Sequence, residues 1–200
     1  MTFYRGYVFV DRAKLDYNST NANGSSSATN AGFAPGIHFT VAPPYRWDFD
    51  PAVDHIRLGY LISGQVGYGK SGNGNHWIPY IFDIGMWGSY YAGPLLEAGM
   101  QYSPIGVYGY SSYAFFGSNL TLKLRIWNLQ AEYGREGDGI VRGCFKPRFD
   151  SPAIQHFGFY YNYNALFAGV RFINTVLNED PRYYKKMHEL RFVVGFSFDS

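Results

Sequence analysis

Five histidines, His38, His55, His76, His156 and His188, are the residues best equipped to bind a metal or pass a proton. None lies two or four positions from another, so the paired spacing that holds zinc on one strand or one helix face is missing. They read as isolated strand-end or loop histidines. A hydrolase needs a serine beside a histidine base that a carboxylate orients. Ser71 precedes His76, Ser151 precedes His156, and Asp54 adjoins His55, but nearness in sequence is not that geometry. Gly67-Tyr-Gly69 and Gly72-Asn-Gly74 lack the following helix that phosphate binding uses, and read as strand and turn glycines. Asn18-Ser-Thr, Asn23-Gly-Ser and Asn119-Leu-Thr read as polar turn chemistry. The single cysteine, Cys144, rules out a disulfide framework and reads as incidental. No catalytic, cofactor-binding or metal-binding residue is assigned, no cofactor is implied, and no enzyme is expected.

The chemistry that remains is charge set among strand-like residues. Arg57, Lys123, Arg125 and Arg171 are expected to face Asp83, Glu97 and Glu132 across the inside of a barrel. In a barrel of eight strands the interior is just filled by side chains, so such charges form a salt-bridged plug. With more strands the same residues line a narrow channel and bias it.

The elements that position them repeat with period two. Ile56, Leu58, Tyr60, Ile62 and Val66 alternate with Arg57, Gly59, Ser63, Gln65 and Gly67. Leu120, Leu122, Leu124 and Ile126 alternate with Thr121, Lys123 and Arg125. Between residues 157 and 173, Phe157, Phe159, Tyr161, Tyr163, Ala165 and Phe167 fall on one face. Leu190, Phe192, Val194, Phe196 and Phe198 alternate with Arg191, Val193, Gly195 and Ser197. Nine strands result, at 3–17, 33–41, 54–68, 77–91, 95–102, 105–116, 120–133, 156–173 and 188–198. Simple membrane barrels have an even number, and 95–102 and 105–116 could be one strand bent at Pro104, so the range is eight to ten. Turns are expected at Ala42–Pro44, Gly93–Pro94, Ser103–Pro104 and Gly117–Asn119. Polar loops are expected at 18–32, 69–76 and 134–155, and a short helix could start at Asp180-Pro181.

Composition decides which solvent those faces meet. Charged residues make up 16% of the 200 residues, against about 25% in soluble domains. Aromatics make up 20%, which excludes a disordered chain. A net charge of +2 is too small to argue for nucleic acid, and no nucleic-acid partner is expected. The chain fits a single domain, 1–200. No apolar run reaches the ~20 residues of a membrane helix. Several segments alternate for longer than the ~9–11 residues a tilted membrane strand needs. A soluble barrel must coat its outside with charge, yet residues 77–116 carry only Asp83 and Glu97. Trp77, Tyr80, Trp87, Tyr90, Tyr91, Tyr102, Tyr108, Tyr110 and Tyr113 fall near strand ends, as in the aromatic girdles of membrane barrels.

These long amphipathic strands, the polar stretch after the first, Asn-Ala-Leu-Phe-Ala-Gly-Val-Arg-Phe at 164–172 and the ending Leu-Arg-Phe-Val-Val-Gly-Phe-Ser-Phe resemble small bacterial outer-membrane β-barrel proteins. In that family the last strand alternates apolar residues and closes on an aromatic, which the assembly machinery reads. Here that strand is Leu190, Phe192, Val194, Phe196 and Phe198, with Asp199-Ser200 as a departure. The resemblance implies an antiparallel up-and-down transmembrane β-barrel in the bacterial outer membrane, with a signal peptide already removed. The expected role is structural or interactive: a rigid barrel, alone or as a subunit of a larger complex, presents polar loops to other outer-membrane or surface proteins, with membrane lipid around it. The alternatives are a narrow pore for small solutes and a soluble lipocalin-like barrel holding a hydrophobic ligand.

Overall fold

The computed structural model describes residues 2–19, 22–40, 55–71, 76–77, 79–110, 113–137, 153–176 and 184–199. They form ten long strands: β1 (Thr2–Ser19), β2 (Ala22–Thr40), β3 (Ile56–Ser71), β4 (Pro79–Tyr91), β5 (Leu96–Tyr110), β6 (Tyr113–Ile126), β7 (Leu129–Gly137), β8 (Ala153–Tyr163), β9 (Leu166–Val176) and β10 (Tyr184–Asp199). A two-residue piece, His76–Trp77, continues the ladder on β3 beyond β4. Every strand runs antiparallel to its sequence neighbours, and β10 pairs with β1 to close the sheet. The result is a closed up-and-down β-barrel, with no unpaired edge strand among the described residues.

Its size follows from the register. Traced once round the sheet, the pairing returns to β1 about twelve residues higher. Ten strands with that stagger tilt by ~40° and leave roughly 20 Å between opposite backbones. Two facing walls of long side chains nearly fill such a lumen.

The outer face is apolar along its length. Ile56, Leu58, Tyr60, Ile62, Val66 and Tyr68 all point out from β3 and are exposed. So do Leu120, Leu122 and Leu124 on β6 and Phe192, Val194 and Phe196 on β10. At ~3.3 Å per residue and a ~40° tilt, the row from Ile56 to Tyr68 rises ~30 Å, the height of a bilayer's hydrocarbon core. A protein interior hides such rows, whereas lipid solvates them. A soluble barrel holding a hydrophobic ligand needs Leu120, Leu122 and Leu124 inside, and that alternative is set aside because Leu122 is 44% exposed.

Several elements differ from their sequence-based bounds. The polar stretch 18–32 is no loop, because Ala22–Thr40 is a full strand paired with both β1 and β3. Residues 95–102 and 105 onward are one strand with a bulge between Ser103 and Gly106, where Pro104 owes no N–H to the ladder. The segment 105–116 instead divides between β5 and β6. Residues 120–133 and 156–173 each hide a two-residue turn, at Trp127–Asn128 and Asn164–Ala165. Each turn swaps the parity of the faces, so Phe167 points inward while Phe157, Phe159 and Tyr161 point outward. Gly93, at φ 71°, makes the expected turn before Pro94, but Gly117–Asn119 is strand. Ala42–Pro44, Asp180-Pro181 and most of 134–155 lie outside the described residues.

Neighbouring turns at one end are laced together. Trp127 N–H donates to Leu95 O at 2.6 Å, Asn162 N–H to Asn128 O at 2.7 Å, and Ser197 N–H to Ala165 O at 2.7 Å.

Candidate functional site: the braced lumen

The inner face carries what the outer face lacks. Among the described side chains all six carboxylates, Asp11, Asp83, Glu97, Glu132, Glu136 and Glu189, are buried there. A carboxylate removed from water needs cations or donors around it, and the strand parity that sends leucines to lipid sends those partners inward.

Near the short-turn end, Glu97 of β5 is the hub. It accepts from Ser89 Oγ at 2.8 Å and pairs with Arg125 Nε at 3.0 Å and with the Lys123 ammonium. Arg57 is buried close by, its guanidinium 5.7 Å from the Trp87 ring.

At mid-height a continuous chain of polar contacts crosses the lumen. Arg171 of β9 pairs with Glu132 of β7 at 2.7 Å. The same guanidinium donates to Tyr160 Oη at 2.8 Å and Tyr7 Oη at 3.3 Å, and lies within 6 Å of both rings. Tyr7 donates to Gln65 Oε1 of β3 at 3.0 Å, and Arg191 of β10 donates to the same oxygen at 2.7 Å. Arg191 also holds Asp11 at 3.1 Å and Glu189 at 3.7 Å, over the Phe9 ring at 4.1 Å. Strands β7, β9, β10, β1 and β3 are thus tied through one set of side chains.

Apolar packing backs the brace. Phe9, Tyr160, Phe167 and Val193 form a buried cluster with Tyr7 against it. Tyr160 meets Phe167 edge-on, with centroids 6.0 Å apart, an arrangement favoured by the ring quadrupoles.

At the height of the cavity, bulky residues rise from β8, β9, β10 and β1, while Ala34 of β2 and Ser63 and Gly64 of β3 are small. A polar cavity of about 110 Å³ remains between the two walls, with Gln65, Asp83, Asn119, Thr121, Glu132, Glu136, His156 and Arg171 among its lining. That is room for a few waters. Asp83 accepts from Asn119 Nδ2 at 3.4 Å.

The six charges singled out from sequence therefore lie on the inner face in two groups. Arg57, Glu97, Lys123 and Arg125 sit near the short turns, and Asp83 and Arg171 sit at the cavity. Glu97 joins Lys123 and Arg125; Arg171 pairs with Glu132 and not with Asp83 or Glu97. Of the terminal row, Phe192, Val194 and Phe196 are exposed and Leu190 is half-buried, while the Phe198 side chain lies outside the described residues. Tyr91, placed with the girdle from sequence, turns inward and is buried.

Sequence reasoning missed His156. It is 4% exposed, with Nε2 3.1 Å from Glu132 Oε1 and Nδ1 3.6 Å from Glu136 Oε1. The usable signal was parity: Glu132 and Glu136 share a face of β7, and Gly134 between them leaves room for the imidazole, which packs where a Cβ would stand. Asp11, Glu189 and Arg191 were likewise unassigned. His55, by contrast, donates from Nδ1 to Tyr91 O at 3.0 Å at the rim. Asp54, Ser151 and Cys144 lie outside the described residues, as do the side chains of Ser71 and His76. Among the described residues no three metal-ligating side chains converge.

No family model matches the sequence, and no curated protein does. Among solved structures the KdgM porin is 13% identical, with 99% of each chain covered and a TM-score of 0.42. The NanC porin is 11% identical, covering 98% of this chain and 99% of its own, at a TM-score of 0.43. The translocator domain of the autotransporter NalP from Neisseria meningitidis is 14% identical, covering 98% and 88%, at 0.40. At these scores the likeness carries no argument about this chain.

Proposed function

We propose that this protein is a bacterial outer-membrane β-barrel whose lumen is braced shut. Its work is to hold its polar connections rigidly at the membrane surface, where another outer-membrane or surface protein meets them. The apolar exterior and the absence of a sheet edge fit a barrel solvated by lipid. The observation that carries the closed lumen is the chain Glu132–Arg171–Tyr7–Gln65–Arg191–Asp11, which crosses from wall to wall at hydrogen-bond distances. No reaction is proposed: the histidine within that region, His156, lies between Glu132 and Glu136 with no described serine beside it.

A second reading, a narrow pore for small solutes, is favoured by the polar cavity that runs beside the small residues of β2 and β3. Planar-bilayer recording separates the two. A closed barrel inserts without steady conductance. Long-lived, uniform current steps from the unmodified protein refute the closed lumen and establish the pore.

A further inference from the structure

We propose that the polar cavity beside the brace binds a small monovalent cation, the size of ammonium or potassium, between Glu136 of β7 and Asp83 of β4. The site goes beyond the braced-barrel reading, because it concerns the charge that the brace leaves unbalanced.

Apart from the group around Glu97, the described inner face carries five buried carboxylates, Asp11, Asp83, Glu132, Glu136 and Glu189. Its basic groups are Arg171, Arg191 and the ring of His156. Even with the imidazole charged, carboxylates are in excess. A buried excess of negative charge is costly until a cation or a proton joins it. Glu136 is where the excess is unmet. It is 5% exposed and lines the cavity, and its Oε2 meets no hydrogen-bond donor among the described residues. Its Oε1 stands 3.6 Å from His156 Nδ1, past hydrogen-bond reach. The same ring approaches Glu132 at 3.1 Å, and Glu132 also holds Arg171. The brace therefore uses Glu132 and leaves Glu136 to the cavity.

The rest of the lining selects the occupant. Asp83, 3% exposed, brings a second carboxylate from β4. Asn119 is held by Thr121 Oγ1, which donates to its Oδ1 at 3.1 Å, so its Nδ2 is turned toward Asp83. Ser63 and Gln101 bring a hydroxyl and an amide to the same cavity. An anion there meets Asp83, Glu132 and Glu136. A divalent ion stripped of water lacks its cage of ligands, since no three metal-ligating side chains converge among the described residues. A monovalent cation needs less: carboxylate oxygens on two walls, neutral oxygens between them, and room for part of its water shell. The cavity of about 110 Å³ offers that room.

The test uses the full chain folded into phosphatidylcholine vesicles, unfolded by urea at one pH and one ionic strength in the chlorides of potassium, ammonium or N-methylglucamine. The last cation is too large for the cavity. Potassium or ammonium at ten times its dissociation constant raises the urea midpoint over N-methylglucamine by roughly 0.5 M, as a ligand of the folded state alone does. Asp83→Asn with Glu136→Gln removes the difference. In crystals of the unmodified protein soaked in rubidium chloride, an anomalous peak lies between Asp83 and Glu136, a check that needs no variant to fold. Equal midpoints in the three salts overturn the site, and they are the result if protons alone settle the excess charge. A difference that the folded double variant keeps, or rubidium that avoids the cavity, overturns it too. Steady current from the unmodified protein refutes the closed lumen and leaves these readings unchanged, so the two failures are distinct.

Discussion

Replacing Arg191 by methionine tests whether the lumen brace is made of paired charge. The guanidinium is 2% exposed and serves Gln65, Asp11 and Glu189 together. Methionine keeps the stem over the Phe9 ring and removes the charge. Asp11 and Glu189, 1% and 4% exposed, then face each other without their shared cation. Breaking a buried pair from one side costs about 3–5 kcal/mol, because the remaining charge stays desolvated. With a denaturant slope of ~2–3 kcal/mol per molar, the urea midpoint falls by roughly 1–2 M. The assay is the folded fraction in lipid vesicles, read by the shift in gel mobility between heated and unheated samples. Adding Asp11→Asn and Glu189→Gln to Arg191→Met neutralises the stranded carboxylates and recovers most of the loss. The reasoning is refuted if Arg191→Met lies within about 0.5 kcal/mol of the unmodified protein, the range of a neutral surface change. It is refuted equally if the triple variant is no more stable than the single one.

Three further outcomes follow from the same geometry. Leu122→Arg, near the middle of the lipid-facing band, lowers barrel stability by about 2–4 kcal/mol, whereas Arg135→Leu, at an exposed position of β7, changes it by about 1 kcal/mol or less, both measured by urea unfolding in vesicles. Gly134→Ala drives a methyl into the His156 ring and destabilises the barrel, and Gly134→Ala with His156→Ala loses less than the two single changes added. Tyr160→Ala with Phe167→Ala removes the rings that back the brace, and produces steady current in a planar bilayer where the unmodified protein is silent.

The outer face was legible from the sequence because lipid demands an apolar side chain at every second position. Ile56 to Val66, Leu120 to Leu124 and Phe192 to Phe196 therefore announce themselves. Strand β2 was obscured for the opposite reason. Its upper half pairs beside Arg12 and Lys14, beyond the apolar band, so Ser27 and Thr29 need no lipid-facing character. Its Gly32 is small because the Phe9 ring closes over it, with Cζ 2.5 Å from where a Cβ would stand. Polar and small residues there report room for a neighbour and not a loop. The turns at Trp127 and Asn164 were hidden too. Both adopt positive φ, at 54° and 51°. Asparagine tolerates that conformation, while tryptophan gives no hint of it. The lumen contacts were half legible: parity sends the charges inward, but partner choice depends on the stagger of the sheet. That stagger is why Arg171 reaches Glu132 across Gly158, and why Arg191 meets Gln65 three strands away.

The central claim is that this sheet is a barrel with lipid outside and a polar, braced interior. Spin labels placed singly along β3, from Ile56 to Tyr68, in a Cys144→Ser background test it most directly. In lipid vesicles, labels at 56, 58, 60, 62, 66 and 68 are predicted to be relaxed by oxygen dissolved in the bilayer, and labels at 57, 59, 61, 65 and 67 to be shielded from it. Oxygen accessibility without that two-residue period, or free access of a water-soluble relaxing agent to the first set, contradicts the account.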